Sequence, residues 1–473
     1  MSTGMLQFVD TKQEFPESRV PLERCEDFAE IYRSFAMEKA KAQSSRCSQC
    51  GVPFCQEYCP LHNNIPDWLC LVAEGRFKEA YHVSQETNTF PEICGKICPQ
   101  DRLCEGNCVL EHSGHGTVTI GAVEQFITEM AWSNGWVASS PPKSEYGESI
   151  GIIGSGPAGL AAAERLRARG FQVTIYDRHD RVGGLLVYGI PDFKLDKKVV
   201  ARREKQLRDM GVEFRMSCNV GHDVAFHELQ NRHSAVLVAT GACAYRSLSI
   251  PGSGMNGIVQ AMDYLQTSNR VTLGDSCEEY ISGRLNAEGR NVIVLGGGDT
   301  AMDCVRTAIR QGADSVRCLY RRDRSNMPGS AREVKNAEEE GVEFVWMRQP
   351  RMFIGEGSVS GVQAVKMQFD SSDVLYGRRN IVEMKDEVED FAADMVVQAM
   401  GFYPENLSSI WSVPDMKACS AGKLVVSPDS YMTTLDKVYA AGDIVRGPSL
   451  VVWAISDGRK AADNIIKSML VRA

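Results

Sequence analysis

Over roughly the first 140 residues, apolar side chains recur at helical spacing: Phe28, Tyr32 and Phe35 in one stretch, Trp68, Leu69, Val72 and Phe77 in another. Turns rich in Gly, Pro and Asn separate these stretches, so a mostly helical first domain with an aromatic core is expected. The segment SSPPKSEYG, Ser139 to Gly147, breaks the pattern with turn chemistry and marks a domain boundary. Beyond it, short apolar runs lead into glycines and then into amphipathic stretches, the alternation of α/β domains with mainly parallel sheets. Two such units begin near Ser149 and Asn291, and they are alike enough in plan to be cousins. The interval Gly252 to Gly289 is turn-rich and polar, and reads as a linker with a short helix over Met262–Leu265.

A chain of 473 residues accommodates about three domains. Hydrophobic residues make up 43% and charged residues 24%, ordinary for a soluble globular protein, and no apolar run approaches the ~18 residues of a membrane span. The first residues, MSTGMLQFVDTKQEF, carry acids and no apolar run, so no secretory signal and a cytoplasmic location are expected. A net charge of -9 argues against a broad nucleic-acid footprint.

Cysteine changes the picture. Eight of the sixteen fall in two blocks: Cys47, Cys50, Cys55 and Cys59, followed by Pro60, and then Cys94, Cys98, Cys104 and Cys108. In a large chain without an export signal such blocks read as metal ligands rather than disulfides. The first block is spaced two, four and three residues apart and ends in Cys-Pro, close to the ferredoxin run whose fourth cysteine serves the other cluster. Two clusters of the 4Fe-4S type follow, because each corner iron of a cubane takes one external ligand. The ferredoxin precedent implies crossed ligation: Cys47, Cys50 and Cys55 with Cys108, and Cys59 with Cys98 and Cys104. One position is left over, for Cys94 or for the oxygen of Glu124. Self-contained blocks are the alternative, and a pair of zinc sites fits the spacing poorly. Cys25 and Cys70, outside the blocks, read as ordinary buried thiols.

The first glycine unit, SIGIIGSGPAGLAAAERLRARGFQVTIYDR, runs strand, turn, helix, strand and acid. Gly154 permits the tight turn, Gly156 lets a pyrophosphate approach and Gly159 lets the helix pack on the strand, with Ser155, Pro157 and Ala158 between them. Asp177 ends the second strand, where a ribose hydroxyl would donate to it. Near the C-terminus, VYAAGDIVRGPSLVVWAISDGRKAA brings Gly442 and Asp443 into a segment that resembles the one returning to the first nucleotide fold in two-dinucleotide flavoproteins, so the first unit resembles an FAD site. The second unit, NVIVLGGGDTAMDCVRTAIRQGADSVRCLYRRD, sets Gly296, Gly297 and Gly298 before Asp299 and Thr300. Its second strand ends in Arg321 and Arg322 rather than an acid, which favours the 2′-phosphate of NADPH over NADH. Hydride passes directly between the two rings, so no catalytic side chain is needed. The run Glu338 to Glu340 reads as a solvated helix face.

With these residues in place, the chain resembles the small, beta subunits of bacterial NADPH-dependent glutamate synthases, over essentially its whole length. The stretches that carry the resemblance are CGVPFCQEYCPLHNNIP, ICGKICPQDRLCEGNC, IGSGPAG, DRHDRVGGLLVYGIPDFKL, LGGGDTAMDCVRTAIRQGA, YRRDRSNMPGSAREV and AAGDIVRGPSLVVWAI. It is also similar in plan to the N-terminal part of dihydropyrimidine dehydrogenases. The resemblance implies an α/β protein with a helical iron-sulfur domain over 1–146, an FAD domain over 147–254 and 405–473, and an NADPH domain over 255–404. It adds Gly184 and Leu185 to the cofactor-binding residues. It implies that NADPH is oxidised at FAD and that single electrons pass through both clusters to a large, FMN-containing amidotransferase subunit in a hetero-oligomer. That subunit makes glutamate from glutamine and 2-oxoglutarate. The relatives imply the same crossed ligation, with Glu124 where the dihydropyrimidine enzymes use an amide. A related subunit serving ferredoxin, sulfide or pyrimidine chemistry would share almost every motif. A disulfide reductase would need a redox pair, and Cys218, Cys243, Cys277, Cys304, Cys318 and Cys419 form no CxxC.

Overall fold

The computed structural model describes residues 4–375 and 378–472, and the side chains among them except those of 371–379 and 471–472. The N-terminal part is helical where the apolar spacing is helical around Trp68. Its longer helices are α1 (Met37–Ser45), α2 (Ile65–Ala73), α3 (Phe77–Thr87), α4 (Pro91–Ile97) and α5 (Ile120–Ser133). Trp68, Leu69, Val72, Tyr81 and Ile127 close a core of their own.

The Phe28, Tyr32 and Phe35 spacing does not make a helix. Residues 28–36 hold neither helix nor strand, and Tyr32 forms one antiparallel bridge to Ser18. The aromatics face other parts of the molecule instead of a shared helical stripe: Phe28 lies 6.3 Å from Phe193, and the Tyr32 hydroxyl is 3.2 Å from Asn336 Oδ1.

Two five-stranded parallel sheets follow. The first is built from β1 (Ser149–Ile153), β2 (Gln172–Tyr176), β3 (Glu213–Arg215), β4 (Ala235–Val238) and, from the far end of the chain, β13 (Val438–Ala440). Their order is β13-β4-β1-β2-β3. The second contains β5 (Ile258–Gln260), β6 (Asn291–Leu295), β7 (Ser315–Tyr320), β8 (Glu343–Trp346) and β12 (Met395–Gln398), ordered β5-β12-β6-β7-β8. The central strands of both sheets are apolar on both faces, as parallel strands covered by helices must be. Between β8 and β12 runs an antiparallel meander, β9 (Arg348–Glu356), β10 (Ser358–Leu375) and β11 (Arg378–Ala392).

The helices that matter below are α6 (Pro157–Ala168), α7 (Leu185–Tyr188), α8 (Lys197–Asp209), α9 (Ala261–Thr272), α10 (Asp299–Arg310), α11 (Ala331–Glu339), α12 (Asp443–Arg446) and α13 (Val451–Arg472). The stretch read as a linker is no linker. It supplies the edge strand β5, and the short helix over Met262–Leu265 is the interior of the twelve-residue α9, which buries Tyr264 and Leu265. The polar run that follows those anchors, Gln266 to Arg270, hid its length, although Ser268 and Asn269 in it are buried. Among the described residues no helix is long and apolar enough to cross a membrane.

Candidate functional site

The eight block cysteines separate four and four. Cys59, Cys94, Cys98 and Cys104 line one cavity together with Glu124, Leu61 and Ile120. Cys47, Cys50, Cys55 and Cys108 line a second one with Phe54 and Val109, and Ile120 forms part of both walls. The blocks are thus interlocked, because each cavity draws three cysteines from one block and one from the other. Among the described residues no group of three or more His, Cys, Asp or Glu is arranged to hold a single metal ion. The sulfurs ring cavities, which is what a polynuclear cluster requires.

Local structure explains the convergence. Cys94 rides on α4 and Cys98 caps its C-terminus. Gly95 and Gly121 allow α4 and α5 to cross closely, since a Cβ on Gly95 would stand 2.7 Å from the Gly121 carbonyl. That crossing sets Glu124 beside Cys94. On the other side, the buried Arg46 donates to the carbonyls of Thr11, His115, Gly116 and Thr117 and so fixes the chain just before Cys47. Gln49 Nε2 donates to Cys47 Sγ at 3.4 Å and to the Pro66 carbonyl.

Burial pushes the Cys47 thiol up to about 11 and those of Cys55 and Cys59 to about 12. Burial also lifts Cys104 well above the ordinary thiol range. A cluster entering either cavity must therefore displace protons from these sulfurs. Glu124 is raised by burial to about 8, and its Oε1 accepts from the amides of Asn63 at 3.2 Å and Asn88 at 3.0 Å. Cys25 and Cys70 are half-buried rather than buried.

The first glycine turn sits at the carboxyl ends of β1, β4 and β13, where ligands bind in open parallel sheets. Gly154 has φ +109°, and a Cβ there would lie 2.3 Å from the Ala239 carbonyl. At Gly156, the residue before α6, an added Cβ meets nothing within 4 Å. Pro157 takes the first helical position, where its missing N–H costs nothing. Asp177 accepts from the Ser155 N–H at 2.7 Å and hydroxyl at 2.6 Å, and its other oxygen accepts from the His179 N–H. A carboxylate has lone pairs left for a ribose hydroxyl.

Gly184, just ahead of Leu185, is at φ +53° against the Gly156 backbone, and Gly442 abuts Ala158. Asp443 opens α12, raised by burial and opposed by the Ser449 hydroxyl, which donates to it at 2.6 Å. Gly458 escaped the sequence reading. Its position in α13 would put a Cβ 2.1 Å from the Ala158 carbonyl, so it is what lets α13 lie against α6. No spacing rule marks a lone helical glycine of this kind.

The second turn repeats the geometry. Gly296 has φ +141° beside the Ala399 carbonyl, Gly297 is filled by the Tyr320 ring, and Gly298 faces open space before α10. Asp299, followed by Thr300, accepts from the Ser330 N–H at 2.9 Å, and Arg102 reaches it from the N-terminal domain at 3.4 Å. Arg321 is exposed beyond β7, and Arg322 next to it is partly buried.

The cavity of Cys59, Cys94, Cys98 and Cys104, the nearer of the two, is continuous with the first nucleotide fold. Val452 of α13 lines it, Ser456 donates to the Pro60 carbonyl at 3.1 Å, and Cys94 and Cys98 pack in the same core as β1 and α6. The far cavity belongs to the N-terminal core.

Residues 24–136 match the family model described as dihydropyrimidine dehydrogenase domain II, 4Fe-4S cluster. Residues 148–458 match pyridine nucleotide-disulphide oxidoreductase, more than half of the chain. The glutamate synthase (NADPH) small chain of Azospirillum brasilense is 59% identical over 98% of this chain and 95% of its own length. The chain belongs to the glutamate synthase (NADPH) small-chain family. The Escherichia coli K12 small chain is 43% identical, over 98% of this chain and 99% of its own. Among solved structures, FprA of Mycobacterium tuberculosis in complex with NADPH superposes with a TM-score of 0.57 at 20% identity, covering 68% of this chain and 85% of that one, a likeness of fold. A small chain of this kind is a pyridine-nucleotide oxidoreductase. Disulphide chemistry is not carried over with the family model's name, because no CxxC lies in the nucleotide-binding part.

Proposed function

We propose that this chain is the electron-input subunit of a glutamate synthase. NADPH binds at the second glycine turn, FAD at the first, and two 4Fe-4S clusters fill the cavities, near and far. The observation that carries this reading is the relay order of the two cysteine-ringed cavities, one against the FAD fold and one beyond it, with Ile120 between them. Bound FAD takes hydride as an electron pair and releases electrons singly to iron-sulfur groups, which carry one each.

The protein's own contribution is placement. The open faces at Gly156 and Gly298 leave room for two pyrophosphates at helix N-termini. For the near cluster we assign Cys59, Cys94, Cys98 and Cys104, because Cys94 supplies a fourth soft donor while Glu124 is already engaged by two amides. Cys47, Cys50, Cys55 and Cys108 hold the far one. Phe54 and Val109, which line it, stand exposed together with Val52 beside Pro53 of its wall, and this is the face we assign to the large, FMN-containing subunit that makes glutamate from glutamine and 2-oxoglutarate in the cytoplasm.

The test is to copurify the chain with its partner and supply NADPH, glutamine and 2-oxoglutarate. Glutamate formation coupled to NADPH loss is the expected outcome. A partner without amidotransferase activity sinks the assignment in favour of an NADPH-linked subunit serving another acceptor.

Arg321→Ala with Arg322→Ala tests the choice of nicotinamide. A lost charge-assisted contact to phosphate is worth about 1.5–3 kcal/mol, so KM for NADPH should rise on the order of tenfold to a hundredfold. KM for NADH should stay put, and equal losses for both would refute the 2′-phosphate role.

A further inference from the structure

The nicotinamide fold is joined to the FAD fold by two chain crossings, paired only as the two-residue strands Ala244–Tyr245 and Phe402–Tyr403. Two narrow crossings make a hinge. On one side the two folds are tied directly, Arg181 pairing with Asp275 at 2.6 Å, Arg270 with Asp180 at 2.6 Å, and Asn269 donating to the Tyr188 carbonyl at 2.9 Å. On the other side a third body is added. Residues 19–35 of the N-terminal part run across α11, and the loop Pro99–Arg102 between Cys98 and Cys104 touches its other end.

Arg24 is fully buried. Its Nη2 donates to the Asn336 carbonyl at 3.2 Å and to Glu339 at 2.9 Å, and its Nε stands 2.9 Å from Glu340. Glu340, which the run of three acids suggested was solvated, has a fully buried side chain and accepts from Arg306 and Arg310 of α10 as well. Those two guanidiniums lie 4.5 and 4.0 Å over Phe193 of the FAD-side loop, against which Phe28 of the arm packs. The same loop sends Lys194 to Asp303 at 2.7 Å. Glu30 ties the arm to Lys96 at 2.5 Å and to the Asp196 N–H at 2.9 Å. At the start of α11, Asp101 accepts from the Ala331 N–H at 3.1 Å and the Ser330 hydroxyl at 3.3 Å, and Arg332 donates to the Lys96 carbonyl.

Burying this many charges is a poor way to gain stability, because desolvation offsets most of the Coulomb attraction. What it does supply is a single geometry for three bodies. We propose that the arm 19–35 and the loop 99–102 form a clamp that holds the nicotinamide fold in the orientation for hydride transfer, with Arg24 and Asp101 as positioning residues. The inference rests on the hydride route proposed above. Its leverage is large, since a displacement of about 1 Å between reacting rings can cost on the order of a hundredfold in rate.

The experiment uses the full chain loaded with flavin and clusters, mixed anaerobically with NADPH while flavin absorbance is followed. Arg24→Ala leaves Glu340 with Arg306 and Arg310, so no carboxylate is orphaned and folding is expected to survive. Flavin reduction should slow at least about tenfold, with NADP+ affinity and flavin and iron content unchanged. Hydrogen exchange should rise at the hinge strands 244–245 and 402–403, and Arg24→Lys should recover part of the rate. Asp101→Ala, at an exposed position, should act in the same direction and serves if Arg24→Ala is insoluble. Wild-type rates and exchange in both variants would overturn the clamp, as would a fall in NADP+ affinity that accounts for the whole rate loss. A wild-type flavin that NADPH does not reduce would instead sink the hydride route itself.

Discussion

Cys98→Ala should yield a protein whose flavin is still reduced by NADPH but which delivers no electrons to the large subunit proposed above. Cys98 lines the near cavity and is held in the core shared with the FAD fold, so its loss removes one of the corner ligands there while leaving the glycine turns untouched. Structural metal sites draw their folding energy from the complete ligand set, and an incomplete cubane site does not retain its iron. Iron per chain should fall by about half, the far cluster remaining, and glutamate formation should drop to background. NADPH oxidation with an artificial acceptor that takes electrons at the flavin should continue. Cys94→Ser should behave the same way, whereas Glu124→Ala should keep its iron. If Glu124→Ala instead loses half the iron and Cys94→Ser keeps it, the oxygen is the fourth ligand. Loss of all iron with Cys98→Ala would mean that the cavities do not load separately.

What the sequence disclosed and what it hid divide along the range of the interactions. The strand, glycine turn, helix and second strand around Gly154 and Gly296 are written within about thirty residues, because turn geometry and close packing are local demands. The cysteine blocks were equally legible as a pair, and the Cys-Pro ending pointed to the crossed arrangement that the two cavities display. Interactions between distant segments left weaker traces. Phe28, Tyr32 and Phe35 carry a helical period by coincidence, because Phe28 and Tyr32 answer to neighbours far along the chain while Phe35 packs into the N-terminal core. Glu340 looked like surface because its charge partners, Arg24, Arg306 and Arg310, come from another segment and another helix. A run of three acids gives no sign of which one turns inward. The meander β9–β11 also left no clear mark, its exposed outer strand reading as polar chain.

Gly159→Ala and Gly156→Ala, three residues apart in one turn, should fail for opposite reasons. At Gly159 a Cβ would stand 2.0 Å from the Gly154 carbonyl and 3.3 Å from Ile152 Cγ2. The obstructing atom is backbone, in a turn that already holds Gly154 at φ +109°, so neither side can yield without moving α6 off β1. Overpacking typically costs about 1–3 kcal/mol even where side chains can give way, so the flavin-free protein should melt several degrees lower or be insoluble. At Gly156 the backbone is at φ −72°, which any residue adopts, and the added methyl meets nothing. The flavin-free Gly156→Ala protein should therefore melt close to wild type and keep its clusters. Yet the empty space beside Gly156 is the approach by which a pyrophosphate reaches the N-terminus of α6, so flavin content should collapse. Thermal melts of the flavin-free proteins, set against the flavin absorbance of the same preparations, separate the two effects. Full flavin in Gly156→Ala would place the pyrophosphate away from this turn, and a wild-type melt for Gly159→Ala would show that α6 can stand farther from β1 than the fold suggests.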